Sequence, residues 1–265
     1  DCVERVRTVL IRKLVRITSY SRVGKQVEIA ILGTLNVIWL SPQVRILLTT
    51  GSQIRGPSER RAFFWYSPHV SIKPFLLERY FAQYEFSAPY LLSSSDCDGW
   101  AQAEVLSLAD EQARGLWDGL RLGYTESTGL PLLRREIAAL YPGVDAGEIL
   151  VAAPQEGINL AMNALLRKGD QVICTHPGYQ SLYEIAESIG CQVERWQPIE
   201  NEGWRFDVER LARMIKPSTK LVVVNFPHNP TGYLPPKDDF LRIIELVKAR
   251  GIHLFSDEMY RFLEL

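Results

Sequence analysis

From Gln171 onward, short continuous apolar runs alternate with stretches of helical periodicity. Gln171–Cys174, Val193–Trp196, Leu221–Val224 and Ile252–Phe255 are brief, rich in β-branched residues and bounded by polar or turn residues, which predicts buried parallel strands. Between them, Asp207–Ile215 reads as a helix with Asp207 at its cap. The stretch from Pro236 to Arg250 repeats Phe240, Ile243, Ile244 and Val247 on one helical face before Gly251 stops it. Upstream, Glu148–Val151 predicts a strand. Ala153 and Pro154 then turn the chain into a helix over Ile158–Leu166, proline being suited to a first helical turn, where its missing N–H is no loss. Leu130–Leu140 is amphipathic through Leu133, Ile137 and Leu140, and Ile72–Phe86 repeats Phe75, Leu76, Arg79, Tyr80 and Tyr84 at helical spacing. Strand and helix in alternation predict an α/β protein with a mostly parallel sheet.

Such a sheet presents ligands to the carboxyl ends of its strands, and that is where this chain concentrates polar and turn residues. Leu221–Val224 runs into Asn225-Phe226-Pro227-His228-Asn229-Pro230-Thr231-Gly232, in which two prolines fix φ and remove two backbone donors, so that Asn229 is held on a rigid, non-helical path. Ile252–Phe255 runs into Ser256-Asp257-Glu258-Met259-Tyr260 on the same sheet edge. Asp257 taken alone is equally compatible with a helix N-cap. In Ala153-Pro154-Gln155-Glu156-Gly157, the amides of Gln155, Glu156 and Gly157 are expected to point outward from a helix start, an arrangement suited to an anion or to an ordinary capped helix. Thr175-His176-Pro177-Gly178-Tyr179 places a tyrosine after a strand, either as a stacking ring or as core packing; His176 reads as a loop residue with no base role.

Together with Tyr124-Thr125-Glu126-Ser127-Thr128-Gly129-Leu130-Pro131-Leu132-Leu133-Arg134, these segments resemble, in order and separation, the fold type I pyridoxal-phosphate enzymes of the class I/II aminotransferase family. The resemblance covers roughly residues 72–265. It implies a three-layer sandwich, the aspartate aminotransferase-like large domain, truncated at its carboxyl end, with pyridoxal 5'-phosphate as cofactor. It assigns Asp257 to the protonated ring nitrogen, Asn229 and Tyr260 to the phenolic oxygen, and Tyr179 to the ring face. Gln155 and Glu156 are assigned to the phosphate. Ala153 and Pro154 stand where the family commonly has Gly and Ser, so one backbone donor and one hydroxyl are absent from that cradle. Tyr124 is assigned to the phosphate held by a neighbouring subunit, which implies a homodimer. The expected reaction is amino-group transfer between an amino acid and a 2-oxo acid. The same fold hosts lyases, decarboxylases and synthases, and a cofactor-sensing DNA-binding regulator is a further alternative. The Schiff-base lysine of the family lies beyond the Asp257–Tyr260 element, and Lys168, Lys216, Lys220, Lys237 and Lys248 do not occupy its place. The chain is therefore expected to be a catalytically incomplete portion of the enzyme.

Charge divides the chain. The net charge of −1 hides 11 Lys and Arg against 4 Asp and Glu among residues 1–66, and 19 against 27 in the remainder. The first 70 residues are read as a basic arm, expected to be poorly ordered, ahead of an incomplete domain over 71–265. A presequence, a DNA-binding module and sequence upstream of a natural start compete to explain the arm. The third is preferred, because no methionine precedes Met162 and no helix-turn-helix pattern emerges between Gly33 and Pro57. Val27–Leu40 is shorter than the roughly 20 residues that cross a bilayer and carries Glu28. Neither a membrane nor a nucleic-acid partner is expected. Cys2, Cys97, Cys174 and Cys191 lack metal-type spacing, which suggests reduced thiols in a cytoplasmic protein, with Cys174 and Cys191 in the core.

Overall fold

The computed structural model describes residues 14–20, 26–32, 72–97 and 99–263. Two strands lie within the basic arm, β1 (Leu14–Tyr20) and β2 (Gln26–Leu32); the rest of residues 1–70, and the expectations placed on it, lies outside the described residues. Three helices follow, α1 (Leu76–Tyr84), α2 (Gln102–Ser107) and α3 (Glu111–Asp118), then α4 (Pro131–Ala138) and α5 (Pro154–Leu165). The remainder alternates: β3 (Gln171–Thr175), α6 (Ser181–Ile189), β4 (Gln192–Trp196), α7 (Val208–Met214), β5 (Thr219–Asn225), α8 (Lys237–Ala249) and β6 (His253–Glu258).

The strands form one sheet in the order β2-β1-β6-β5-β3-β4. β6, β5, β3 and β4 are mutually parallel, and β1 joins β6 antiparallel, with Val15 opposite Asp257. The α/β class and mostly parallel sheet expected from the apolar runs are thus present. Alternation along the strands assigns side chains to two faces. Val172, Cys174, Leu221, Val223 and Phe255 pack under α5 and α6 with Ile158, Met162 and Leu182. Ile173, Val222, Val224 and Leu254 pack under α7 and α8 with Leu211, Ile243 and Val247. Each such side chain taken from water contributes about 1.5–3 kcal/mol, so the central strands hold the sheet rigid beneath the site.

One expected strand does not form. Ala146–Glu148 is a turn of 3₁₀-helix, and Ile149–Val151 satisfies its backbone elsewhere: Arg134 Nε donates to Ile149 O at 2.9 Å and Val151 N to Thr128 O at 3.0 Å. Gly129 makes this approach possible. Its φ is +104°, and a Cβ there would sit 2.5 Å from Val151 Cγ2, so any other residue is both strained and obstructed. Ile149 makes a single β-bridge, and periodicity could not reveal that an arginine and a loop, rather than a full strand ladder, complete this segment.

Candidate active site

The carboxyl ends of β3, β5 and β6 lie side by side, and the register sets Asn225 beside Asp257. Asn225, 2% exposed, braces the edge: its Nδ2 donates to Asp257 O at 3.1 Å and its Oδ1 accepts from Asn229 N at 2.8 Å. The loop residue Asn229 is therefore hung from the strand end that precedes it and tied to the neighbouring strand. The His176–Pro177, Phe226–Pro227 and Asn229–Pro230 peptides are all cis.

Asp257 itself is 6% exposed. Its Oδ1 accepts from Met259 N at 3.1 Å, in a turn rather than at a helix start. Burial pushes its carboxyl up to about 7, against the downward pull of the Met259 N–H and with a further push from Glu258. Asn229 Nδ2 donates to Tyr260 Oη at 2.9 Å, and Tyr260 Oη donates to Ser95 Oγ at 2.8 Å. Tyr179 Oη accepts from Gln155 Nε2 at 2.8 Å and faces Glu78 Oε1 at 3.4 Å, while its ring meets Phe75 edge-on at 4.9 Å between centroids. Burial raises the Tyr179 hydroxyl to about 12, and burial raises Tyr260 as well. The Asp257 charge adds to both upward shifts, so the carboxylate lies within electrostatic reach of the two rings.

At the start of α5, Glu156 Oε2 accepts from Ala153 N at 3.4 Å, the reciprocal half of a capping box. The Gly157 amide donates to Ala153 O at 2.9 Å. It belongs to the helix ladder, contrary to the outward direction expected of it, because it is the fourth residue of the helix and reaches the cap carbonyl. Proline having no N–H, the amides of Gln155 and Glu156 are the ones this first turn leaves without an intrahelical carbonyl. Tyr124 is fully exposed and is not gathered with the other candidates within this chain.

Reading the sequence did not find Ser95, Glu78 or His228. Ser95 and Glu78 are common polar residues more than 70 positions from the side chains they meet, and no local pattern marks them. His228 stands inside the most informative motif, and its burial, at 2% exposed, was the missing signal. A cavity of about 520 Å³ opens against this loop, lined by Ser95, His228, Asn229, Leu234, Tyr260 and Leu263 among others. Neither Asp257 nor Tyr179 lines it, so it borders the polar cluster rather than containing it.

Residues 89–264 match the family model described as aminotransferase class I and II. The chain belongs to this family. Among curated aminotransferases it is 31% identical over 144 residues to the methionine aminotransferase of Escherichia coli, covering 52% of this chain and 37% of that one. It is 32% identical over 143 residues to the aspartate aminotransferase of Pyrococcus horikoshii, covering 52% and 37%. A crystal structure of a PLP-dependent aminotransferase from Streptococcus suis superposes with a TM-score of 0.64 at 31% identity, covering 71% of this chain and 51% of that one. The aminotransferase chain described here thus spans well under half the length of those curated relatives, and its sheet is the large-domain sheet of the family.

Among the described residues no helix is long and apolar enough to cross a membrane, and no cluster of His, Cys, Asp and Glu could hold a metal ion. Cys174 is buried as expected, whereas Cys191 is only partly covered at the margin of the same core.

Proposed function

We propose that this chain is the cofactor-ring portion of a pyridoxal-5'-phosphate-dependent transaminase that exchanges an amino group between an amino acid and a 2-oxo acid. The observation that carries this reading is Asp257: a buried carboxyl at a strand end, raised to about 7 by burial. Lowering that cost calls for a cation or a strong donor beside it. A protonated pyridine nitrogen is such a partner, and the Asp257 anion in turn keeps that nitrogen protonated. Asn229 and Tyr260, already joined at 2.9 Å, present an amide and a hydroxyl that suit a phenolic oxygen on the same ring. Tyr179 supplies an aromatic face, and the first-turn amides of α5 at Gln155 and Glu156 suit a phosphate. The donor set therefore fits the group. When bound, pyridoxal phosphate supplies an electron-withdrawing ring that accepts the charge left at a substrate carbon.

The residues of this chain hold, orient and electrostatically tune that ring; we assign the proton transfer at the substrate carbon to a lysine of the longer protein. Lys73 and Lys216 are engaged with Glu187 and Glu194, and no lysine lines the cavity beside Asn229 and Tyr260. Tyr124, fully exposed here, is assigned to the phosphate bound by a second copy in a cytoplasmic homodimer.

The test is turnover of the longer protein with a panel of amino acids and 2-oxo acids, alongside its Asp257→Ala variant. Transamination that drops by at least about a thousandfold in the variant supports the reading, as expected when the group that tunes the cofactor is removed. Full activity in the variant refutes the role given to Asp257.

A further inference from the structure

Asn229, assigned to the ring's edge, and Tyr179, assigned to its face, are carried by two different loops, one after β5 and one after β3. Among the described residues, the His228 side chain joins those loops. His228 Nε2 lies 2.9 Å from Pro177 O, two residues before Tyr179, and His228 Nδ1 lies 2.7 Å from Thr231 Oγ1 within its own loop. Its backbone is committed too, N–H to Tyr233 O at 2.8 Å and C=O from Gly232 N at 2.7 Å. All four polar atoms of a residue only 2% exposed are therefore satisfied.

The partners fix the tautomer. A carbonyl can only accept, so Nε2 carries the hydrogen. In the neutral ring Nδ1 must then accept, and the Thr231 hydroxyl donates to it. Thr231 Oγ1 meanwhile accepts from Tyr233 N at 3.3 Å, which leaves its hydrogen for the imidazole. Burial lowers the basicity of His228, with His176 acting in the same direction and the Pro177 contact opposing, so the neutral form is retained. The ring plane is held by aromatic packing, edge-on to Phe206 at 4.8 Å.

We propose that His228 is a positioning residue that locks the Tyr179 loop to the Asn229 loop, so that the ring-stacking and ring-edge groups keep one spacing. This rests on the cofactor reading for its consequence, but the lock itself exists without cofactor and is tested without it. Asn225 ties Asn229 to Asp257, and His228 extends the same brace to the strand beyond. Without it, Tyr179 keeps its hydroxyl contacts, its ring contact with Phe75, the Leu182 N–H on its carbonyl and its packing against the core under α5 and α6, but its loop loses the tie to the Asn229 loop.

The experiment compares the full chain with His228→Phe, which keeps an aromatic ring against Phe206 but has no donor, and His228→Gln, whose amide can still donate to Pro177 O. Thr231→Val, which removes the tautomer-fixing hydroxyl together with its contact from Tyr233 N but leaves the His228–Pro177 contact, serves as a second and milder break. Hydrogen exchange without cofactor is read over 175–182, 227–233 and the β5–β6 core. The expected result is exchange about tenfold faster at 175–182 in His228→Phe, a smaller rise in Thr231→Val, near-native exchange in His228→Gln, and an unchanged core. With pyridoxal 5'-phosphate added, the ring-band circular dichroism should weaken in His228→Phe and recover in His228→Gln. Unchanged exchange at 175–182 in His228→Phe overturns the lock. A rise spread evenly through the core in both His228→Phe and Thr231→Val also overturns it, since His228 would then be a packing residue only. Failure of the unaltered chain to bind pyridoxal 5'-phosphate counts against the cofactor reading, while the exchange arm still decides the lock.

Discussion

Residues 171–258 and residues 76–118 are both rich in apolar side chains, the second region more so, and treat them in opposite ways. In the first region, Val222, Val223, Val224 and Phe255 are wholly buried between helices. In the second, α1, α2 and α3 bury no residue fully, and Leu76, Leu116 and Trp117 stand 70%, 52% and 44% exposed. A sheet flanked on both faces completes its own core. The three helices carry apolar side chains whose covering surface is not supplied by the described residues. The polar cluster at the carboxyl edge inherits its order from the first region; among the described residues, Glu78 and Ser95 reach it from the less buried one, and Phe75 from just before it.

The largest effect expected from this contrast is in the core. Phe255→Ala should lower the urea-unfolding free energy by about 3–5 kcal/mol, because it empties a fully buried ring site between α5 and α6. A loss below about 1 kcal/mol would mean that the sheet is not the stabilising region. Next comes Asp257. Its carboxyl is near 7 in the folded chain and about 3.9 when unfolded, so the folded state binds the proton more tightly. Its contribution to stability is fully present below about pH 4 and is lost as pH rises through about 7. Asp257→Asn should therefore match the cofactor-free parent at low pH and exceed it by about 4 kcal/mol at pH 8, measured as urea midpoints. An equal pH dependence in the two proteins would remove Asp257 as the buried acid. Tyr179→Phe keeps the ring and loses the contacts with Gln155 and Glu78, and should cost about 1 kcal/mol, read from thermal unfolding. Smallest is Leu116→Ser, within about 0.5 kcal/mol for the protomer, with its effect appearing instead as weaker self-association in sedimentation.

The strands and helices of the first region were legible because each apolar run is short, β-branched and closed by turn residues. Predicted and observed boundaries for β3, β4, α7, β5, α8 and β6 differ by only a few residues at each end. β6 runs on to Glu258, so Ser256 and Asp257 belong to the strand rather than following it, since backbone pairing with Val224 and Asn225 continues past the last apolar side chain. Asn229, Asp257 and Tyr260 come together as their order implied. β1 and β2 were not anticipated, although Val27, Ile29 and Ile31 alternate with Gln26, Glu28 and Ala30. Their charge drew the reading toward an arm, and β1 pairs with β6, more than 200 residues away, which no local pattern encodes. The braces Asn225 and His228 were invisible for a related reason: although they stand inside the most informative motif, their meaning lies in which distant carbonyl each one meets.

The most direct test is a titration of the full chain with pyridoxal 5'-phosphate at pH 8, followed by ring absorbance, beside its Asp257→Asn variant. The account predicts saturable one-to-one binding that weakens at least about tenfold in the variant, the loss expected when a charged hydrogen-bond partner is removed from a buried site. Equal affinity in the two proteins, or no saturable binding to the unaltered chain, would contradict it.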